Sequence, residues 1–193
     1  AYIRGDVGFL GDAHGVIKVF RVNPVKSSGD GCMCTYWSLL HQFSLGETSS
    51  PLRNFAVYEE EGIFIACNEA GEVGVWSVSE TSTPRLLSIY KLENNETITA
   101  ISLACCSSGA LKVFVGTDHG NLFFDSILDK KSEGGLKCVE TMHKTVFSGR
   151  SKSICSLHPS LIGLSKDVIP VVYTVYTSGI VEAISIDEEI SIA

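Results

Sequence analysis

Short hydrophobic runs recur along this chain, separated by polar turns that end in glycine. The clearest case is Phe64 to Val78, where two apolar runs flank a polar turn closed by Gly71. In an extended chain Val73 and Val75 would lie on one side and Trp76 on the other. Both sides are largely apolar, which is typical of a strand packed between two neighbouring sheets. The pattern therefore predicts a β-hairpin that is buried on both faces.

The same pattern follows glycines that recur at intervals of roughly 50 to 60 residues, a spacing typical of propellers and other repeat folds. These glycines are Gly15, Gly71, Gly120 and Gly179. Hydrophobic residues stand at the second, fourth and seventh positions after each: Ile17, Val19 and Val22; Val73, Val75 and Val78; Leu122, Phe124 and Ile127; Val181, Ala183 and Ile186. A glycine that closes a turn supplies the positive φ that a short hairpin loop needs. Two more strand candidates lie between successive hairpins, and four strands per repeat predict a propeller blade.

The best-formed repeat resembles the third strand of the WD-repeat family. Gly71-Glu-Val-Gly-Val-Trp76 is similar to that family's Gly-x-Val-x-Leu-Trp sequence, and Phe20 takes the tryptophan position in the first repeat. Asp125 and Ile184 stand there in the other two repeats, so the family's hydrogen-bonded Trp–Ser/Thr–His–Asp set cannot form in full. Gly116-Thr-Asp-His-Gly120 resembles the family's small-polar-Asp-Gly turn. The resemblance implies a degenerate β-propeller that binds other proteins.

We therefore expect an all-β fold in which residues 1–193 form a single partial β-propeller domain. Blade-like units are expected at roughly 1–45, 46–92, 93–147 and 148–193, each a four-stranded antiparallel meander where complete. The first unit opens on the hairpin Val7–Gly11 and Val16–Val22 without an inner strand, which gives about three and a half blades. Such an incomplete propeller leaves apolar faces bare. Remaining blades from the same parent chain or from a second subunit would have to cover them.

Several segments carry more specific expectations. Pro24 should end its strand, and Trp37–Leu45 should be the outer strand of the first blade, at an edge of its sheet. Leu136–Phe147 should supply the outer strand of the third unit, and Pro159–Ile169 should form a long insertion before the last hairpin. No stretch keeps a hydrophobic period of 3.6 residues, so we predict almost no helix.

Composition restricts the partners. The net charge is −7 and the pI about 5.2, which argues against direct binding of nucleic acid or anionic membrane. No apolar run approaches the roughly 20 residues of a membrane span. The first residue is Ala1 rather than Met, and no signal peptide follows, so we expect a fragment of a longer chain. Seven cysteines, an odd number, favour a reducing compartment, cytoplasmic or nuclear.

No cofactor, metal site or catalytic residue is predicted. The histidines lack a His-x-x-x-His spacing and no Cys-x-x-Cys is present. Cys32-Met-Cys34 with Cys105-Cys106 is an alternative zinc set. Asp118-His119 suggests an acid–base dyad, but no Gly-x-Ser-x-Gly motif supplies a nucleophile and adjacent side chains in a turn usually diverge.

The candidate protein-binding residues lie in the predicted hairpin turns: Asp12, His14, Asn68, Glu69, Asp118 and His119. Equivalent turns of successive blades face the same way, so these residues would form a mostly acidic rim suited to a basic protein segment. Its histidines would gain positive charge as the pH falls and weaken such binding. The leading interpretation is a non-catalytic interaction scaffold, a WD-repeat-like subunit of a larger intracellular complex. The alternative is a propeller enzyme, a hydrolase or lyase, with its catalytic residues in missing blades.

Overall fold

The computed structural model describes residues 2–4, 6–26, 33–46, 50–58, 62–78, 83–92, 96–105, 111–128, 140–141, 152–164 and 167–185. These residues form strands and turns, with no helix among them. Over the same ranges, therefore, no helix is long and apolar enough to cross a membrane. The all-β prediction is confirmed.

The strands build four sheets, numbered here in chain order. Sheet 1 contains β1 (Tyr2–Arg4), β2 (Val7–Gly11), β3 (Val16–Lys26) and β4 (Met33–Ser44), and sheet 2 contains β5 (Leu52–Tyr58), β6 (Ile63–Asn68), β7 (Glu72–Ser77) and β8 (Arg85–Lys91). Sheet 3 contains β9 (Ile98–Cys105), β10 (Leu111–Thr117) and β11 (Leu122–Leu128). After β12 (Glu140–Thr141), sheet 4 contains β13 (Ile154–Leu164), β14 (Asp167–Tyr176) and β15 (Val181–Ser185). Each sheet is an antiparallel meander. β12 adds one parallel strand to sheet 2, beside β8.

The expectation that the first unit lacks an inner strand is wrong. β1 pairs with β2 from Tyr2 opposite Phe9 to Arg4 opposite Val7. Sheet 1 is therefore a complete four-stranded meander. A strand of three residues is too short to produce a readable alternation of apolar and polar positions, which is why the sequence pattern missed it.

We expected Pro24 to end its strand and Pro159 to begin an insertion, but both prolines lie within strands. Pro24 lies within β3, opposite Thr35 of β4, and Pro159 lies within β13, opposite Val172 of β14. The described residues of the segment Pro159–Ile169, 159–164 and 167–169, thus lie in the paired strands β13 and β14 rather than in an insertion. Both prolines stand where the strand has a neighbour on one side only, so the missing N–H can face the unpaired side.

The outer strand expected from Leu136–Phe147 in the third unit is not found in the described part of that segment. Only Glu140–Thr141 falls within the described residues, and the rest of the segment lies outside them. These two residues pair in parallel with Tyr90 and Lys91 of β8, at the outer edge of sheet 2.

The sheets stack in chain order, and an apolar cluster joins each sheet to the next. The position of a residue within its repeat decides whether its side chain packs against the preceding or the following sheet. Ile17, Val73 and Leu122, each two residues after a turn glycine, are fully buried against the following sheet. The equivalent Val181 is 54% exposed, because no following sheet lies among the described residues. The turn glycines at 15, 71, 120 and 179 adopt φ of 77°, 75°, 78° and 83°, as predicted.

Trp76 belongs to an aromatic cluster between sheets 1 and 2. Its side chain is 3% exposed, and its ring centroid lies 5.8 Å from that of Phe64 and 5.1 Å from that of Phe43. A Cβ on Gly74 would collide with the Trp76 ring and with Leu45, so this strand position accepts only glycine without rearrangement. The predicted burial of Trp76 between sheets is confirmed.

Trp76→Ala should lower the free energy of unfolding by about 3–5 kcal/mol, because it opens a large cavity between two sheets. The matched control is Trp37→Ala, since Trp37 is 40% exposed. We expect the control to lose less than about 1 kcal/mol. Urea unfolding followed by circular dichroism measures both, and equal losses would show that Trp76 is not a core residue.

Candidate protein-binding rim

The four hairpin turns lie along one edge of the stack of sheets, which we call the turn-end rim. It comprises residues 12–15, 68–71, 117–120 and 176–179. Each turn is hydrogen-bonded to the segment that enters a sheet at the same edge. The bonds run from Leu52 N to Asp12 O (3.3 Å), Glu69 N to Pro51 O (3.0 Å), Asp118 N to Thr97 O (3.0 Å) and Thr177 N to Ser153 O (2.9 Å). The expectation that equivalent turns share one edge therefore agrees with the geometry.

The first three turns share a side-chain cap three residues before the glycine. The cap accepts a hydrogen bond from the N–H that follows the glycine, at nearly the same distance each time. These bonds are Val16 N to Asp12 Oδ1 (3.0 Å), Glu72 N to Asn68 Oδ1 (3.0 Å) and Asn121 N to Thr117 Oγ1 (3.2 Å). Short polar side chains fix turns in this way because they replace a backbone acceptor. Three turns of the rim are therefore held in defined conformations.

Asp12 combines this capping role with an accessible charge. Its Oδ1 also accepts a hydrogen bond from His14 N at 2.9 Å. The bonds from Val16 N and His14 N favour the ionised carboxylate and hold the pKa of Asp12 below its ordinary value of 3.8. His14 itself is exposed at the tip of the turn.

Asn68 does not take the surface position that we expected. Its side chain is fully buried, and its Nδ2 donates to Glu72 Oε2 at 2.7 Å. A partner at the rim cannot reach it, so Asn68 is corrected from a binding residue to a turn cap. Its polarity alone could not distinguish these roles.

Glu69 is exposed and forms an ion pair. Its Oε1 lies 2.5 Å from Arg53 Nη2 of the neighbouring strand β5, and both side chains are open to solvent. Water and salt screen such a pair, so it contributes little to stability and can exchange with a partner.

Asp118 and His119 lie in contact, although adjacent turn side chains were expected to diverge. Asp118 Oδ1 is 3.1 Å from His119 Nδ1 and also accepts a hydrogen bond from Thr97 N at 3.1 Å. Both side chains are exposed, so water screens the pair and leaves it open to a partner. Turn 68–71 lies between this turn and that of His14, in the order of the sheets.

A buried polar cluster beneath the third turn was missed in the sequence. Glu96 Oε2 accepts a hydrogen bond from Thr117 Oγ1 at 2.6 Å, and Oε1 accepts one from Asn121 Nδ2 at 2.8 Å. All three side chains are buried. Glu96 belongs to a polar crossing that looks solvated in the sequence, and no local signal indicates its burial.

Comparison with known proteins places this geometry in a fold. No protein-family model matches the chain. It is 30% identical over 99 residues to an uncharacterized WD repeat-containing protein of Schizosaccharomyces pombe, which covers 51% of this chain and 26% of that protein. It also superposes on the Cps50 (Swd1) β-propeller domain of Myceliophteria thermophila with a TM-score of 0.52 and 10% identity, over 94% of this chain and 45% of that one. This chain has the fold of a WD-repeat-like β-propeller.

Two further solved structures resemble the propeller. Raptor of Chaetomium thermophilum gives a TM-score of 0.60 at 13% identity, over 94% of this chain and 14% of that one. The computationally designed Ika4 protein gives 0.58 at 17% identity, over 95% of this chain and 88% of that one. The propeller spans about a quarter of the length of its curated relative. Its sheets are blades of a partial propeller, since the described stack is open at both ends.

The first strands of successive blades are tied together. Asn54 Nδ2 of β5 donates to Thr99 O of β9 at 3.2 Å, and Thr99 Oγ1 donates to Ile154 O of β13 at 2.5 Å. These bonds join sheets 2, 3 and 4 and help to fix the positions of their turns along the rim.

The thiols of the propeller differ in accessibility. Burial raises the pKa of the Cys67 thiol to about 12, so this thiol stays neutral between two blades. Cys105 and Cys155 are exposed, and the described residues contain no disulfide at either position. Of the alternative zinc set, Cys32 and Cys106 lie outside the described residues.

Asp12→Asn should change the acid stability of the propeller. Because the folded-state pKa of Asp12 lies below 3.8, its charge stabilises the fold at higher pH, and this contribution is lost as the pH falls through the folded-state value. The stability advantage of the unaltered chain over the variant should be constant above about pH 5 and shrink below it. Urea midpoints measured across this range test it, and an advantage that does not change with pH would contradict it.

Thr117→Val should destabilise the propeller by about 1–3 kcal/mol, because it leaves buried hydrogen-bonding groups of Glu96 and Asn121 without their partner. Thr97→Val is the matched control, since Thr97 is exposed at the same rim. We expect the control to change stability by less than about 0.5 kcal/mol. Equal losses in urea unfolding would show that the buried cluster contributes nothing.

Proposed function

We propose that this propeller is a non-catalytic protein-interaction scaffold in a larger complex, and that its turn-end rim binds a basic segment of a partner protein. The observation that carries the proposal is the row of carboxylates on three consecutive turns, from Asp12, Glu69 and Asp118. Glu69 and Asp118 are exposed and Asp12 is partly exposed. A fold does not by itself determine a function, and the rim is the feature that supports this one.

Order in the turns favours binding. The side chains of Asp12 and Asn68 cap their turns, and Asp118 Oδ1 accepts a hydrogen bond from Thr97 N. These bonds fix the backbone of the turns before a partner binds. A rigid site loses less conformational entropy on binding than a flexible one. Loops held on a rigid frame are also where proteins concentrate their binding residues.

Charge favours a basic partner. The net charge of the chain is −7, and an acidic surface attracts a basic segment and speeds its encounter at low salt. Arg53 reduces the local negative charge through its pair with Glu69. A lysine or arginine of the partner can replace Arg53 in this pair, since both side chains are open to solvent.

The same proposal includes a pH dependence. His14 and His119 are exposed on the rim, and His119 contacts Asp118. When these histidines gain protons, the negative charge that attracts a basic segment is partly cancelled. Binding should therefore weaken as the pH falls.

We further propose that remaining blades, from the same parent chain or a second subunit, cover the two end faces. Phe20 occupies the position of Trp76 in its repeat and faces away from sheet 2, and Leu39 lies opposite it. At the other end Val181 occupies the position that is buried in the three preceding blades. The end faces thus repeat the two sides of an internal blade interface.

Residues 1–193 would act as one domain, in the cytoplasm or nucleus and without direct contact with nucleic acid. The odd number of cysteines, seven, suits a reducing compartment, and the acidic charge disfavours binding to phosphate backbones.

The rim is tested with a double variant that removes charge but keeps hydrogen-bond acceptors, Glu69→Gln with Asp118→Asn. Its matched control is Asp6→Asn with Asp125→Asn, which removes the same charge away from the rim. Asp6 lies at the opposite end of sheet 1 and Asp125 lies within β11. For a lysine-rich peptide measured by calorimetry, we expect about tenfold weaker binding in the rim variant and a smaller salt dependence.

The control pair should bind within about twofold of the unaltered chain. Equal affinities for the two double variants would remove the rim as the binding site. The pH arm uses His14→Gln with His119→Gln, which should bind equally at about pH 5.5 and about pH 7.5, because the variant lacks both rim histidines. A pH dependence that survives in this variant would show that other groups cause it.

A further inference from the structure

The outer edge of β4 presents backbone that is open to pairing. β4 pairs with β3 along its full length, and no other strand of the described residues lies beside it. At 12 residues it is the longest strand among the described residues. An edge strand presents a row of free N–H and C=O groups to any extended chain.

β4 also lacks the charged residues that usually protect such an edge. Among the described residues, the last strand of each other meander is β8, which contains Arg85 and Lys91, β11, which contains Asp125, or β15, which contains Glu182. The sequence of β4 contains no Asp, Glu, Lys or Arg. Natural sheets use charges on edge strands to prevent unwanted pairing, so an uncharged edge is suited to accepting a strand.

This propeller already adds a strand to the outer edge of one blade. Glu140 and Thr141 pair in parallel with Tyr90 and Lys91 of β8. The equivalent edge of sheet 1 is β4, because both strands are fourth in their meanders. Strand addition at this position is therefore compatible with the geometry of the blades.

Apolar side chains flank the open edge on both faces of the sheet. Trp37 and Leu39 lie on one face, 40% and 54% exposed, and Tyr36 lies on the other, 56% exposed. A register shift in the pairing of β3 and β4 follows at Val19/Phe20, which leaves Met33–Leu39 as the regular part of the edge. An added strand with apolar residues at alternate positions would cover these side chains.

We propose that the Met33–Leu39 edge of β4 binds an extended segment of another protein as an additional strand. The segment carries apolar residues at alternate positions, because exposed apolar side chains lie on both faces of the sheet at this edge. Backbone hydrogen bonds hold it, and Tyr36, Trp37 and Leu39 select the apolar side chains. This site is separate from the turn-end rim and does not depend on the function proposed for it.

The probe is a synthetic peptide that alternates isoleucine and threonine between terminal lysines. Hydrogen exchange of the unaltered chain should slow at Met33–Leu39 when this peptide is added, and remain unchanged at β11. A control peptide with proline at every threonine position cannot donate backbone hydrogen bonds there and should not bind. No binding of the first peptide, equal binding of both, or no protection of β4 would overturn the proposal.

Point variants identify the site. Tyr36→Lys should weaken peptide binding about tenfold, because it places a charge where an apolar side chain packs. The matched control is Val181→Lys, since Val181 is 54% exposed on the last blade. The control and the rim variant Glu69→Gln with Asp118→Asn should bind like the unaltered chain. Circular dichroism verifies that each variant is folded.

Three other outcomes would overturn the proposal. Equal losses in Tyr36→Lys and Val181→Lys would show that the peptide does not recognise this edge. A dimer in sedimentation velocity that Tyr36→Lys converts to monomer would show that a second copy occupies the edge instead. A loss confined to the rim variant would place the peptide on the rim.

Discussion

The structure depends on sheets that are apolar on both faces, since such a sheet is stable only when both faces are covered. β6 shows the constraint most clearly, because every residue from Ile63 to Asn68 is buried. Its side chains alternate between two clusters: Phe64 and Ala66 pack toward sheet 1, while Ile65 and Cys67 pack toward sheet 3. Each buried apolar Å² contributes about 25 cal/mol, so burial on two faces stabilises the strand more than burial on one face would.

The turn-end rim is a consequence of this stacking. To place sheets face to face in chain order, the chain must cross from one to the next at the edge where the hairpin turns lie. The turns bond to these crossings through the backbone and through Asp118, while Glu96 is drawn beneath Thr117. The side chains left over at the surface are largely acidic. The interaction surface that we propose is therefore built by the same contacts that join the blades.

The two ends of the stack differ from its middle in a way that bears on function. The exposed large hydrophobic side chains of the described residues all lie in sheets 1 and 4: Tyr36, Trp37, Leu39, Ile180 and Val181. Sheets 2 and 3 bury both apolar faces because each has a neighbouring sheet on both sides. Among the described residues, sheets 1 and 4 have a neighbouring sheet on one side. Sheet 1 has in addition an uncharged outer strand, so it offers two kinds of surface, a face for another blade and an edge for another strand.

Local chemistry in the sequence was enough to predict most of the strands, the hairpin turns and the general architecture. The positive φ of Gly71 and its equivalents and the two-sided packing of the hairpin around Trp76 follow from glycine and from an alternation of period two. The acidic character of the rim also followed, because charge and turn position are both readable along the chain. Partners and enclosing blades were not readable, because they depend on surfaces outside these residues.

Tertiary structure alone decided which polar residues of the rim face water. Asn68 and Glu69 are adjacent and equally polar in the sequence, yet one is a buried cap and the other an exposed carboxylate. Glu96 looked solvated and is buried, because Thr117 and Asn121 arrive from a hairpin more than 20 residues away. Burial of a polar group depends on partners brought by other strands, and no local pattern records where those strands will lie.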